Sequence, residues 1–487
     1  MAALSTALVP LRSTTGGALI AATVLATAVC FLDASVVNVA IPAIGQSLHA
    51  SVSDVQWVLT GFLLTVGGLL LLAGALADCF GRRRILSAGL AVMVVGSIFC
   101  ALAPSVHVLI VARVVQGAGA ALVVPTSLAL LNGTLNVGDR ARGIGVWAGL
   151  ATIATTVGPY VGGWLVDHAS WRWVFLLNLP LIAAALLLLR HVPENADRRP
   201  LTTDVVGALL AVVGLVGVIY ALTEGAASGW GGASVIGALV LGVVALASLV
   251  PVERRVREPM LRLSLFSSRQ FDAINATTLL FYGALAAAGY LIVIELQLEL
   301  GYSASGAGAA LIPSSVVFLV LSPLSGALVV RVGPRWPMVA GILTASASFA
   351  WLSQAHAGAG YVEAILPGVL LYGLALGLSV TPLTAAVLAA VDDSDLGEAS
   401  AVNDDASRVG AAVAVALVPL LIGATGGKTL EQALATGFEP AMIAVAALTA
   451  AAALVAGLFV VDERVAVRTL PPPPLHHACA LPTSEEP

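Results

Sequence analysis

Charge is what this sequence has least of. Only 10% of its 487 residues are Asp, Glu, Lys or Arg, where a soluble domain carries about a quarter. Lysine is almost missing, Lys428 being the single one among 22 basic residues. That scarcity excludes a proton-pumping subunit that relies on lysines along the mid-membrane, and the arginine excess points to a GC-rich bacterial genome. The net charge of −5 says little, because its distribution matters more than its sum, and no nucleic-acid partner is expected. Cysteine is equally sparse. Cys30 and Cys100 fall in apolar runs, Cys79 in a short loop and Cys479 in the tail, a scatter that makes neither a disulfide framework nor a metal site. His107, His168 and His356 are dispersed as well, so no metal or other cofactor is expected. Gly423 to Thr429 superficially matches a phosphate-binding loop, but it is one residue short and no strand precedes it.

What the chain does have is apolar length. Hydrophobic residues make up 59% of it, and runs of roughly twenty recur from end to end. Each can cross a hydrocarbon core of about 30 Å. Such unbroken runs are helices, because barrel strands are about ten residues long and alternate with polar ones. The first run is too long for a signal peptide and lacks a charged start followed by a cleavage site. Spans are expected near 17–42, 54–78, 84–103, 106–131, 141–166, 172–190, 204–223, 233–252, 270–296, 305–331, 336–355, 361–390, 404–425 and 438–461.

Arginine sets the orientation. With a cytoplasmic N-terminus, eighteen arginines fall on inside segments, and only Arg172 and Lys428 fall outside. The positive-inside rule therefore places both termini in the cytoplasm, with an even number of helices, in a bacterial inner membrane. Polar stretches at 193–203 and 253–269 isolate two helices between two six-helix halves. The expected organisation is a cytoplasmic N-terminus (1–16), a six-helix bundle (17–192), a linker with two extra helices (193–268), a second bundle (269–463) and a disordered tail (464–487). The halves share a faint repeat. Gly74 to Arg83 (GALADCFGRR) aligns with Gly326 to Arg335 (GALVVRVGPR), after the second span of each half.

Polar residues within spans are functional candidates, because a charge there costs about 2.5–3.5 kcal/mol on insertion scales. Asp33 lies deep in the first span, within LDASVVNVAIP. Burial disfavours its charged form, which suits a group that takes up and releases a proton, though a structural hydrogen-bonding acid is the plainer role. Arg113 must face a cavity or a counter-ion, since arginine keeps its charge. Gln116 and Gly117 follow on the same face, and the small residues at 117 and 121 invite a close helix neighbour. The fifth span carries Ala154, Gly158 and Gly162 at four-residue spacing, with Pro159 and Gly163 beside them. That pattern predicts a bent, tightly packed helix and a pivot. Asn38, Gln116 and Gln297 are candidates to line a cavity. Glu295 is a candidate second proton site or an acid of the outer vestibule.

Together these segments resemble the major facilitator superfamily. Gly74 to Arg83, with Asp78, Gly81, Arg82 and Arg83, is similar to its loop motif, and the Arg113 segment to its fourth-helix motif. The Gly158-Pro159 segment resembles the antiporter motif, with Ala154 where a glycine is usual. The Asp33 segment resembles the first helix of the fourteen-helix drug:proton antiporters, with Ser35 where threonine is usual. Trp171 to Pro180 and Ala399 to Gly410 also look like that family. The resemblance implies an all-α membrane fold of two six-helix bundles around a central cavity, with an extra pair at the side. It implies a monomer, not an enzyme, that exports small hydrophobic or cationic toxic compounds against proton entry. A dedicated exporter of one endogenous metabolite would look the same. In that fold the basic loop at Arg82 to Arg84 and the acidic run at Asp392 to Asp405 are expected to form a cytoplasmic latch.

Overall fold

The computed structural model describes residues 8–194, 204–256, 262–356, 358, 360–392, 395–424 and 430–462. Regular structure among them is helical, apart from one isolated bridge between Val9 and Leu135. The first half contains α1 (Thr14–Leu48), α2 (Val52–Phe80), α3 (Arg82–Leu102), α4 (Val106–Thr134), α5 (Val137–His168), α6 (Arg172–Leu176) and α7 (Asn178–Leu189). An extra pair, α8 (Val205–Ser228) and α9 (Ala233–Glu253), follows. The second half contains α10 (Arg269–Leu298), α11 (Ala304–Ala310), α12 (Ile312–Val332), α13 (Arg335–Leu352), α14 (Leu366–Ala389), α15 (Leu396–Leu421) and α16 (Leu430–Phe459). Because α6–α7 and α11–α12 each make one broken rod, the described helices form fourteen rods. Twelve are long and apolar enough to cross a membrane. The other two are α13, whose 18 residues include Arg335, Thr344, Ser346 and Ser348, and α15, which carries Glu398, Asp404, Asp405 and Arg408.

The helices run longer than expected. The first was to end at Pro42, yet α1 continues to Leu48 with that proline inside it; neighbouring helices let a membrane helix tolerate proline. Cys79, expected in a loop, lies in the last turn of α2. Ser51 starts α2 with a reciprocal capping box to Asp54, satisfying donors that the apolar sequence leaves open.

The connections put the two halves side by side. In the first, α1 packs on α5, α7 and α4, and α4 on α2 and α3. In the second, α10 packs on α15 and α16, and α14 on α12 and α13. The halves meet most extensively at α2 against α15 and at α5 against α11, and more lightly where α1 meets α10. The extra pair sits at the first of these seams, where α8 touches both α2 and α15 and α9 leans on α8. Ser53 of α2 donates to Glu224 of α8 at 2.5 Å.

The repeat is visible in the backbone. Gly81 and Gly333 both adopt positive φ, 104° and 85°, a region costly for residues with a Cβ. Each lets the chain turn around an acid from the end of its own half. Glu194 accepts from the Arg83 amide at 2.9 Å, and Asp462 accepts from the Arg335 amide at 3.0 Å. The side chains match too: Arg83 donates to the Val192 carbonyl and Arg335 to that of Gly457.

Candidate functional site

Asp33 lies wholly buried at the centre of the first half. Its Oδ2 accepts from Arg113 Nη1 at 2.5 Å. Its Oδ1 accepts from Gln116 Nε2 and Asn178 Nδ2, each at 2.8 Å. Both amides also donate to Ser97 Oγ, at 2.9 and 3.2 Å. Arg113 Nη1 also donates to Gln116 Oε1 at 2.7 Å, and its Nε donates to the Val58 carbonyl at 3.1 Å. The face of the guanidinium rests 4.2 Å from the Phe62 ring centroid. Five elements converge here: α1, α2, α3, α4 and α7.

The local sequence explains the convergence. Arg113 and Gln116 are three residues apart on α4, hence on one face. Gly96 lets α4 come close, because a Cβ there would sit 2.8 Å from the backbone of Gln116. Gly117 does the same towards α2, where a Cβ would lie 2.8 Å from the Phe62 carbonyl. The guanidinium and the two amide groups all donate to the Asp33 carboxylate. Adding a proton to Asp33 therefore breaks the fit of several groups at once. Gln116, expected to line a cavity, is fully buried and belongs to this network instead. Ser97 and Asn178 are the partners that sequence reasoning did not assign.

The remaining candidates lie elsewhere. Asn38 is half-buried on α1. Gln297, a second cavity candidate, instead donates to the Val39 carbonyl at 3.1 Å and joins the halves. Glu295 is buried in the second half with Oε2 unpartnered. It borders a 450 Å³ pocket shared with Glu299, Gln354 and Glu439, away from the Asp33 network.

The fifth-helix glycines pack on two partners. A Cβ on Gly162 would meet Val36 at 2.1 Å, and one on Gly158 would meet Ser35 Oγ at 2.5 Å, so this face of α5 lies against α1. Gly163 faces the other half, where a Cβ would sit 2.3 Å from the Ala304 carbonyl. Opposite it, the Pro159 carbonyl leaves only 2.4 Å for a Cβ on Gly308. Asp167 completes the contact by accepting from the Ala304 and Ser305 amides at 3.0 and 2.9 Å. Together with Gln297–Val39 and Gln56–Val415 (3.0 Å), these bonds close the molecule at its arginine-poor end.

At the arginine-rich end the charged loops engage local partners. Arg83 and Arg84 approach Glu194 at 4.0 and 3.8 Å, and Arg82 donates to the Ala129 carbonyl. The acidic run faces Arg262, which lies 3.3 Å from Asp395 and 3.0 Å from Glu398. The side chain of Asp78, all of Asp393 and the tail beyond 462 lie outside the described residues. Among the described residues, no group of His, Cys, Asp and Glu could hold a metal ion.

The Major Facilitator Superfamily model matches residues 23–252 and 274–481. The chain belongs to that superfamily. It is thus a multi-pass membrane transporter of small molecules, not an enzyme. Among its relatives, the multidrug resistance protein Stp of Mycobacterium tuberculosis (strain CDC 1551 / Oshkosh) is 36% identical over 84% of this chain and 76% of that protein. The puromycin resistance protein pur8 of Streptomyces alboniger is 35% identical, over 80% and 78%. The tetracenomycin C resistance and export protein of Streptomyces glaucescens is 33% identical, over 82% and 75%. In fold, the chain is similar to a crystal structure of the peptide transporter POT, with a TM-score of 0.67 at 15% identity, covering 93% of this chain and 96% of that one. A D-xylose-proton symporter gives 0.64 at 16% identity, over 92% and 98%.

Proposed function

We propose that this transporter exports small hydrophobic or cationic toxic compounds across the bacterial inner membrane in exchange for protons, with both termini in the cytoplasm. The observation that carries the reading is the sealed Asp33–Arg113–Gln116–Asn178 network. A carboxyl group enclosed by three donors is a natural two-state element: adding a proton changes what those donors are arranged around. The relatives named for resistance to unrelated drugs support the choice of substrate class. One named for tetracenomycin C export keeps a dedicated exporter as the second reading.

The cycle follows from the two ends. Closure at the arginine-poor end, held by Asp167, Gln297 and Gln56, leaves substrate to enter from the cytoplasmic side. Protonation of Asp33 loosens its grip on α4 and α7, and α1 transmits the change to α5 through Val36 against Gly162. We assign the opposite closure to the loops around Arg82 to Arg84 and the acidic run, working in a single chain. The test is a toxicity panel in a sensitive host. Resistance to several unrelated compounds that disappears in Asp33→Asn is the expected result. Resistance to a single compound supports the dedicated exporter, and none at all overturns export.

A further inference from the structure

A cavity of about 560 Å³ lies where the extra pair meets the second half, towards the arginine-rich end, walled by α2, α8, α9, α10 and α15. Its size is that of a small-ligand site. Gly68 brings α2 and α8 together at its edge, since a Cβ there would lie 2.7 Å from Val212. The wall is apolar, from Leu215 and Leu246 on the extra pair to Ala276 and Leu279 on α10. Two carboxylates interrupt it, Asp272 and Asp405, and no basic side chain lines it.

Asp405 is the unusual one. It is half-buried, and its Oδ1 is shut off from solvent without a hydrogen bond. The basic residue nearest in sequence, Arg408, turns instead to Asp404, with Nε at 3.1 Å. An acid left so in an apolar wall is neutralised either by a proton or by a cation from outside the protein. We propose that this cavity admits lipophilic monocations from the inner leaflet, with Asp405 as their counter-ion; the inference rests on the export reading above. The apolar walls take the hydrophobic body, and Asp272, exposed at the rim, draws the charge in.

Binding of tritiated tetraphenylphosphonium to the full chain in nanodiscs tests this. Asp405→Asn should weaken binding about thirtyfold or more, because a desolvated charge pair loses one partner. Asp272→Asn should weaken it about threefold, since an exposed acid is well screened. Ala276→Trp, which fills the cavity, should abolish it. Each variant is first checked for a monodisperse elution profile and an unchanged melting temperature. Affinities equal to wild type in both Asp405→Asn and Ala276→Trp overturn the site while leaving export standing. A wild type that exports neutral compounds but does not bind tetraphenylphosphonium overturns the cation. Native mass spectrometry supplies a third arm. A phospholipid retained by wild type and lost from Ala276→Trp, with tetraphenylphosphonium binding untouched, would make this a lipid site instead. Failure of the export reading itself shows separately, as a wild type that protects against nothing in the toxicity panel.

Discussion

In the first half a buried carboxyl group gathers polar side chains from several helices, whereas in the second the charged groups stay apart. Asp33 collects Arg113, Gln116 and Asn178, the first two from α4 and the third from α7. On α10 and α15 of the second half, Asn403 donates to Asn275 at 3.1 Å and to Thr278 at 2.7 Å, a cluster without charge. The charged groups there are dispersed: Asp404 pairs with Arg408 one turn away, Asp405 faces the lateral cavity and Glu295 sits towards the other end. Yet the frame is duplicated, down to Gly81 with Glu194 and Gly333 with Asp462. The two bundles thus share what frames them, while the fully buried ion pair belongs to one. A buried ion pair adds little net stability, since desolvation offsets the attraction. Its confinement to one half argues that it is kept for the transport cycle.

The largest effect should come from breaking that pair unevenly. Arg113→Ala removes the buried counter-ion of Asp33, at a cost of about 3–5 kcal/mol, visible as a lower melting temperature and lost transport. Adding Asp33→Asn to that variant should restore most of the stability but not the transport. If the double variant is no more stable than Arg113→Ala, the pair is not the coupled unit described here. Wherever Arg113→Ala retains activity, its pH profile should differ from wild type.

Next comes the closed end. Gly163→Ala or Gly308→Ala places a Cβ against backbone at 2.3 or 2.4 Å, which cannot yield as a flexible side chain could. Both should push the halves apart there and favour the opposite state. Labelling of Asn38→Cys from outside, in a background freed of the native cysteines, should rise several-fold. Unchanged labelling would show that the α5–α11 contact does not gate access. A smaller effect is expected from Asn178→Leu, which removes one charged-group hydrogen bond worth about 1.5–3 kcal/mol. Activity should drop, and the pH profile should again differ from wild type. The smallest belongs to the second half. Asn403→Ala should cost about 1 kcal/mol in stability and leave the pH profile where it was. A shifted profile in that variant would erase the distinction between the halves.

Much of this was legible in the sequence, for definite reasons. Span positions follow from apolar length, and Asp33 and Arg113 stand out because charge in lipid is costly. The three-residue step from Arg113 to Gln116 correctly placed them on one face. The network around them was not legible, since Ser97 and Asn178 come from α3 and α7 and meet Asp33 only through tertiary packing. Gln116 and Gln297 were expected in the cavity because both are amides in spans, but periodicity alone does not say which face a bundle buries. One turned out to hold Asp33 and the other to tie the halves. The repeat around Gly81 and Gly333 was visible as letters. That each loop wraps an acid from the end of its own half, Glu194 or Asp462, needed the fold.

The central claim is the proposal that proton movement depends on Asp33 in the first half. Substrate-driven proton flux in proteoliposomes, followed with a pH-sensitive dye inside the vesicle, tests it most directly. Wild type and Asn403→Ala should both couple substrate movement to a pH change. Asp33→Asn should bind substrate, remain folded and show no proton flux. Proton flux in Asp33→Asn comparable to wild type would contradict the account.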